Sequence, residues 1–201
     1  MPYIRRIKPL AGDILEPSRL SAFYFLFGKV SNGLDAIFVL AREGFYYEVM
    51  EIIRSNGEAL DLVVLFQQES ADGRLMKKWF EGEIIENAKA REAFDPLIGE
   101  TARANNITIS PKAMKSDIYS TLSRYSHVSY SALLDAYAVY HQDFDFDRDA
   151  GYHYTRDIGL AHIREQIRSA TLVLRFFYRS IPDAATYHEI TALARKHGLE
   201  Q

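Results

Sequence analysis

The sequence predicts an all-α fold: a single-domain bundle of six or seven helices over residues 1–201, with one short hairpin or ordered loop near 141–154. Three observations carry that prediction. Apolar residues recur at helical spacing through most of the chain. Ser18, Ser110, Thr155 and the pair Pro182-Asp183 stand where helix caps and first-turn residues belong. Gly44, the tetrapeptide SADG at 70–73 and Gly198 mark the breaks between periodic segments.

Taken in order, residues 1–17 read as an irregular segment punctuated by Pro2, Pro9, Gly12 and Pro17. Ser18 caps a first helix to about Glu43, weakened inside by Gly28 and Gly33 and closed by Gly44. A second helix runs from Phe45 to about Glu69. Residues 74–105 are charged and mostly helical, and Pro96 breaks or kinks them. SPKA at 110–113 starts a further helix with Met114, Ile118, Leu122 and Tyr125 on one side, ending between Tyr125 and His127. Another helical stretch covers about Tyr130 to Tyr140. The segment HQDFDFDRDAGYHY at 141–154 alternates instead, with Asp143, Asp145, Asp147 and Asp149 on one side of an extended chain. Thr155 then caps a long helix to about Ile181, and Pro182-Asp183 begins a last one that Gly198 stops.

Composition bounds the function. The hydrophobic share is 48%, that of a globular chain able to bury a core. A net charge of −3 means that any nucleic-acid affinity must come from a local patch. The absence of cysteine excludes disulfides, Fe–S clusters, thiol catalysis and Cys-ligated zinc. The opening MPYIRRIKPLAGD has basic residues without an apolar stretch behind them, so no secretory signal is expected. The apolar runs Phe23–Phe27, Ile37–Ala41 and Leu62–Phe66 fall short of the ~18 uncharged residues of a membrane span. A cytoplasmic protein without membrane association is the expectation.

The second helix poses the first functional question. It is apolar nearly all round, which predicts a central helix, yet it carries Arg54, Glu58 and Asp61 at i, i+4 and i+7. Those spacings share one face, and Arg54 reaches Glu58 along its own helix. Charges on a central helix need partners or a wet pocket, because an isolated buried ion costs several kcal/mol. Arg42, at the end of the first helix, is a fourth candidate. Two readings stand: a salt-bridge network that fixes helix register, or a binding pocket.

In YSTLSRYSH, Tyr119, Ser123 and His127 are spaced four apart and form a polar stripe beside Ile118 and Leu122. They suit the Arg54 cluster as neighbours. Ser123 and His127 have the residue types of a nucleophile and base, but no Gly-x-Ser-x-Gly elbow accompanies them, and a hydrogen-bonded structural histidine is the competing reading.

Three segments, 41–62, 78–91 and 119–129, resemble a family of bacterial all-helical proteins without an assigned activity. The shared features are the Arg-x-x-x-Glu pair (Arg54, Glu58), a Trp with following Gly and Arg (Trp79, Gly82, Arg91), and Tyr-x-x-Leu-Ser ending in His (Tyr119, Leu122, Ser123, His127). The resemblance implies an all-helical fold and a polar cluster.

A second resemblance is to small helical ribonucleases of the HEPN type, found in toxin and antiviral systems, whose motif pairs an Arg with a His a few positions later. Arg148 and His153 fit its tight form, and Arg156 and His162 a looser one. The pair implies metal-independent RNA cleavage, with Arg holding phosphate and His moving a proton. Against it, the first pair lies in an acidic stretch that repels phosphate. The Asp run fails as a calcium loop: starting at Asp145, an EF-hand needs Gly at Ala150 and Glu at Arg156. No metal and no cofactor is specified. The long helix carries Arg164, Arg168, Arg175 and Arg179 as a stripe opposite Ile163, Ile167, Ala170, Leu174, Phe177 and Ile181. That stripe reads as a solvated face paired with acids such as Glu165, or as a surface for RNA or a protein partner. The abundance of Tyr and Phe, 13 and 12, also raises a homodimer.

Overall fold

The computed structural model describes residues 2–13, 15–70, 73–93, 96, 120, 122–123, 148–181 and 183–199, and of Pro2 and residues 148–155 the backbone only. Among the described residues there are seven helices and no strand: α1 (Pro2–Ala11), α2 (Arg19–Arg42), α3 (Tyr46–Gln68), α4 (Arg74–Phe80), α5 (Asn87–Glu92), α6 (Arg148–Arg179) and α7 (Ala184–Lys196). The all-α architecture expected from periodicity is the architecture found. The helices expected between 110 and 140 lie outside the described residues, except for Ser120, Leu122 and Ser123, which are helical.

Two expectations are corrected. The N-terminal segment is not irregular, because Pro2–Ala11 is helix. Ile4 and Ile7, three apart, are 6% and 0% exposed. Burying that pair outweighs the penalty of Pro9 in the last turn. The extended reading of 141–154 also fails where it can be checked: Arg148–Tyr154 belongs to α6, so Thr155 is interior to the helix rather than its cap. A short alternating segment needs a sheet partner, whereas adding residues to an existing helix needs no new nucleus. Residues 141–147 lie outside the described residues.

α2 begins where Ser18 accepts a hydrogen bond from the Ser21 amide at 3.0 Å. It ends at a turn in which Gly44 takes φ +88°, a conformation that side chains resist. The chain then returns as α3, antiparallel to α2. α3 is the central helix: it packs on α2, α5 and α6. α6 runs parallel to α3, from Gly159 against Tyr46 to Phe177 and Tyr178 near the level of Val63 and Val64.

Core positions on these three helices recur in alternating steps of three and four. They are Phe23, Leu26, Val30, Gly33 and Ile37 on α2; Val49, Ile53, Asn56, Leu60 and Val63 on α3; and Ile163, Gln166, Ala170, Val173 and Phe177 on α6, all buried except the half-buried Gly33 and Ile163. That is the spacing of a coiled-coil seam. At one end the Phe177 ring meets Phe23 edge-on at 5.1 Å and lies 5.9 Å from Phe27.

The outer helices are fastened by polar contacts. The buried Tyr178 hydroxyl donates to the Tyr3 carbonyl at 2.7 Å, and Arg6 donates to Thr186 Oγ1 at 2.8 Å and pairs with Glu189 at 3.0 Å. Asp183 caps α7 by accepting from the Thr186 amide at 3.0 Å. Hydrogen bonds from the Thr186 hydroxyl and then its amide hold the Asp183 carboxyl below its ordinary pKa. By length and composition α2 also meets the dimensions of a membrane span; here it packs against α1 and α3.

Candidate functional site

Arg54 and Glu58 face outward from the middle of α3, towards α5. Arg54 Nε donates to Glu58 Oε1 at 3.3 Å. The same oxygen accepts from Asn87 Nδ2 at 2.8 Å, so the carboxylate is fixed from two helices. Asn87 is the first residue of α5, and Arg91, one turn later, is half-buried. From the α2 side Lys29 lies within the field of Glu58. Desolvation lowers the Lys29 pKa from its ordinary value, and Glu58 opposes that shift. The cluster is therefore a junction of α3 and α5 where a guanidinium and an amide meet one carboxylate, with the Lys29 ammonium of α2 within the field of that carboxylate.

The expected enclosure is corrected in degree. The side chains of Arg54 and Glu58 are 18% and 31% exposed, and Asp61, on the same face, is half-buried. These groups rim the core of α3 rather than lie inside it. A rim keeps them partly hydrated, which lowers the cost of holding several charges together. Arg42 does not join them. It is exposed, pairs with Glu43 at 2.8 Å, and sits about two turns along α2 from the level of Arg54.

Of the polar stripe, Tyr119 and His127 lie outside the described residues. The structure does place its middle beside α3: Leu122 is 7% exposed and belongs to one apolar cluster with Ile37, Val49, Met50 and Ile53. Ser123, half-buried, follows it. That cluster lies on the apolar side of α3, whereas Arg54 and Glu58 turn towards α5.

The candidate ribonuclease pairs all fall on α6. Arg148 and His153 are described as backbone only; Arg156 is exposed and His162 half-buried. Six residues turn a helix by about 120°, so Arg156 and His162 do not converge on one face. Desolvation lowers the pKa of His162, with Glu165 opposing. In the arginine stripe, Arg164 and Arg179 are exposed and Arg168 and Arg175 half-buried. Arg168, whose side chain is 20% exposed, is ion-paired with Glu165.

Sequence reasoning missed Lys29 and Asn87, whose relevance depends on which helix packs beside α3. It also missed Asn56 and Gln166, 0% and 5% exposed, whose signal was present as polar residues at core spacing. Trp79, from the resemblance, packs on Phe66 and Phe80 at ring distances of 5.7 and 5.1 Å, a core role. Among the described residues no three His, Asp or Glu side chains gather as a metal ion requires. Compared with protein families, with curated proteins and with solved structures, the chain matches none.

Proposed function

We propose that this is an intracellular binding or regulatory protein whose site is the Arg54–Glu58–Asn87 junction, completed by the segment around Ser123. The observation that carries the reading is the shared Glu58 oxygen. Two donors from separate helices immobilise one side of the carboxylate at a partly exposed rim. Holding a polar group in one orientation at an accessible place is what recognition of a small polar molecule needs. A salt bridge serving stability alone contributes little at such exposure.

The test is a melting-temperature screen of the full chain against a library of small polar metabolites, repeated with Glu58→Gln. The expected outcome is a compound that raises the wild-type melting temperature by several degrees and the variant's by far less. A hit that raises both equally, or a library that moves neither, removes the reading.

A second reading, a HEPN-like ribonuclease, is favoured by His162, since desolvation lowers its pKa and so favours the neutral imidazole that can accept a proton. Its divergence from Arg156 along α6 ranks it second. RNA cleavage that His162→Ala abolishes without unfolding the chain would reverse the order.

A further inference from the structure

The apolar interior is divided. One cluster holds Val30, Ala59 and Ala170 at its boundary and extends to Phe23, Val63 and Phe177. The other holds Ile37, Val49, Met50, Ile53 and Leu122, with Ile158 and Ile163 packed on it. Half-buried Leu34 packs against both. The core positions between the clusters are Gly33 on α2, Asn56 on α3 and Gln166 on α6. The parallel alignment that sets Tyr46 on Gly159 carries Asn56 to within one turn of Gln166, so the three residues form one layer.

This layer is weak for separate reasons. Asn56 is 0% exposed, and neither its Nδ2 nor its Oδ1 has a hydrogen-bond partner. Gln166 is 5% exposed, and its Nε2 has none. A buried amide without partners carries its full desolvation penalty. The Asn56 amide lies in the space a Cβ on Gly33 would fill, 2.3 Å from that position, so its head is pressed against α2 backbone whose own groups are already bonded. Gly33 and Gly57 then place a poor helix former at the same level of both α2 and α3.

We propose that the Gly33–Asn56–Gln166 layer is a built-in cooperative boundary, at which the half of the bundle bearing Leu122, Ser123 and the first turns of α3 opens while the half around Phe177 stays folded. The opening half is the one whose apolar cluster holds Leu122, so the layer governs how firmly that segment is held against the bundle. The inference needs no ligand and stands whether or not the junction binds one.

Native-state hydrogen exchange on the full chain, followed by NMR, tests it. Amides in 47–53 and 158–163 are expected to show protection at least about tenfold below those in 59–66 and 170–178. Asn56→Leu and Gln166→Met, singly and together, replace each amide by an apolar group of similar shape. They are expected to raise the melting temperature and bring the two sets of protection factors together. Gln166→Met, the closer isostere, decides the matter if leucine does not fit at 56. Equal protection of the two halves in the wild type overturns the proposal, as does a Gln166→Met variant that melts lower or leaves the difference unchanged.

Discussion

Gly28 and Gly33 lie five residues apart in α2, and the same substitution has opposite consequences at each. A Cβ on Gly28 meets nothing within 4 Å, whereas one on Gly33 meets the Asn56 amide at 2.3 Å. Gly28→Ala is expected to stabilise the protein by about 0.5–1 kcal/mol through helix propensity and a more restricted unfolded chain. Gly33→Ala gains the same increment but must displace the Asn56 side chain from a site where it is fully buried, and overpacking of that kind costs about 1–3 kcal/mol. Urea denaturation of the two variants checks the difference in sign. Single atoms thus decide whether a glycine is a defect of the helix or a requirement of the packing.

At the scale of the element, α4 is the instructive case. Its seven residues make too short a helix to persist alone, and its N-cap residue, Gly73, offers no side chain. Glu69, from the end of α3, supplies what is missing. Its carboxylate accepts from the Leu75 and Met76 amides at the positive end of α4, the latter at 3.2 Å. Its carbonyl is held in turn by Arg19 Nη2 at 2.7 Å. Glu69→Ala is expected to cost about 1–2 kcal/mol, within the range of lost helix caps. Because Trp79 on α4 is the one tryptophan of the sequence and rests on Phe66, the loss reads out directly. Its emission should shift to the red and become more accessible to quencher, while the far-ultraviolet helix signal changes little.

At the scale of the molecule, the N-terminal helix is joined to the far end of the chain. The hydroxyl of Tyr178, a residue 1% exposed, bonds the Tyr3 carbonyl, and burial, helped by the Asp183 charge, pushes its pKa up to about 12. The folded state therefore keeps the proton that an unfolded tyrosine loses at about pH 10. The stability from this group is fully present below about pH 10 and is lost as the pH rises towards 12. Tyr178→Phe is expected to cost about 1 kcal/mol at neutral pH, the net value of one hydrogen bond. It should also flatten the decline in melting temperature above pH 10. Faster tryptic cleavage after Arg5 and Arg6 in the variant would show that α1 is what comes loose. Unchanged cleavage would mean that Ile4 and Ile7 hold α1 without the hydroxyl.

Whatever depended on neighbours within a few residues was legible before any coordinates. The helical class, the Ser18 and Asp183 caps, the turn at Gly44, the central position of α3 and the Arg54–Glu58 pair all follow from spacings of one to four residues, which are local properties of the chain. The docking of α1, the arrival of Asn87 at Glu58 and the meeting of Gly33 with Asn56 were not, because each joins residues of different helices. Helical periodicity states which face of a helix is apolar; it does not state which helix that face meets, or at what register. Those choices were made by the packing of whole surfaces, and they leave Asn56, fully buried, with neither side-chain polar atom hydrogen-bonded.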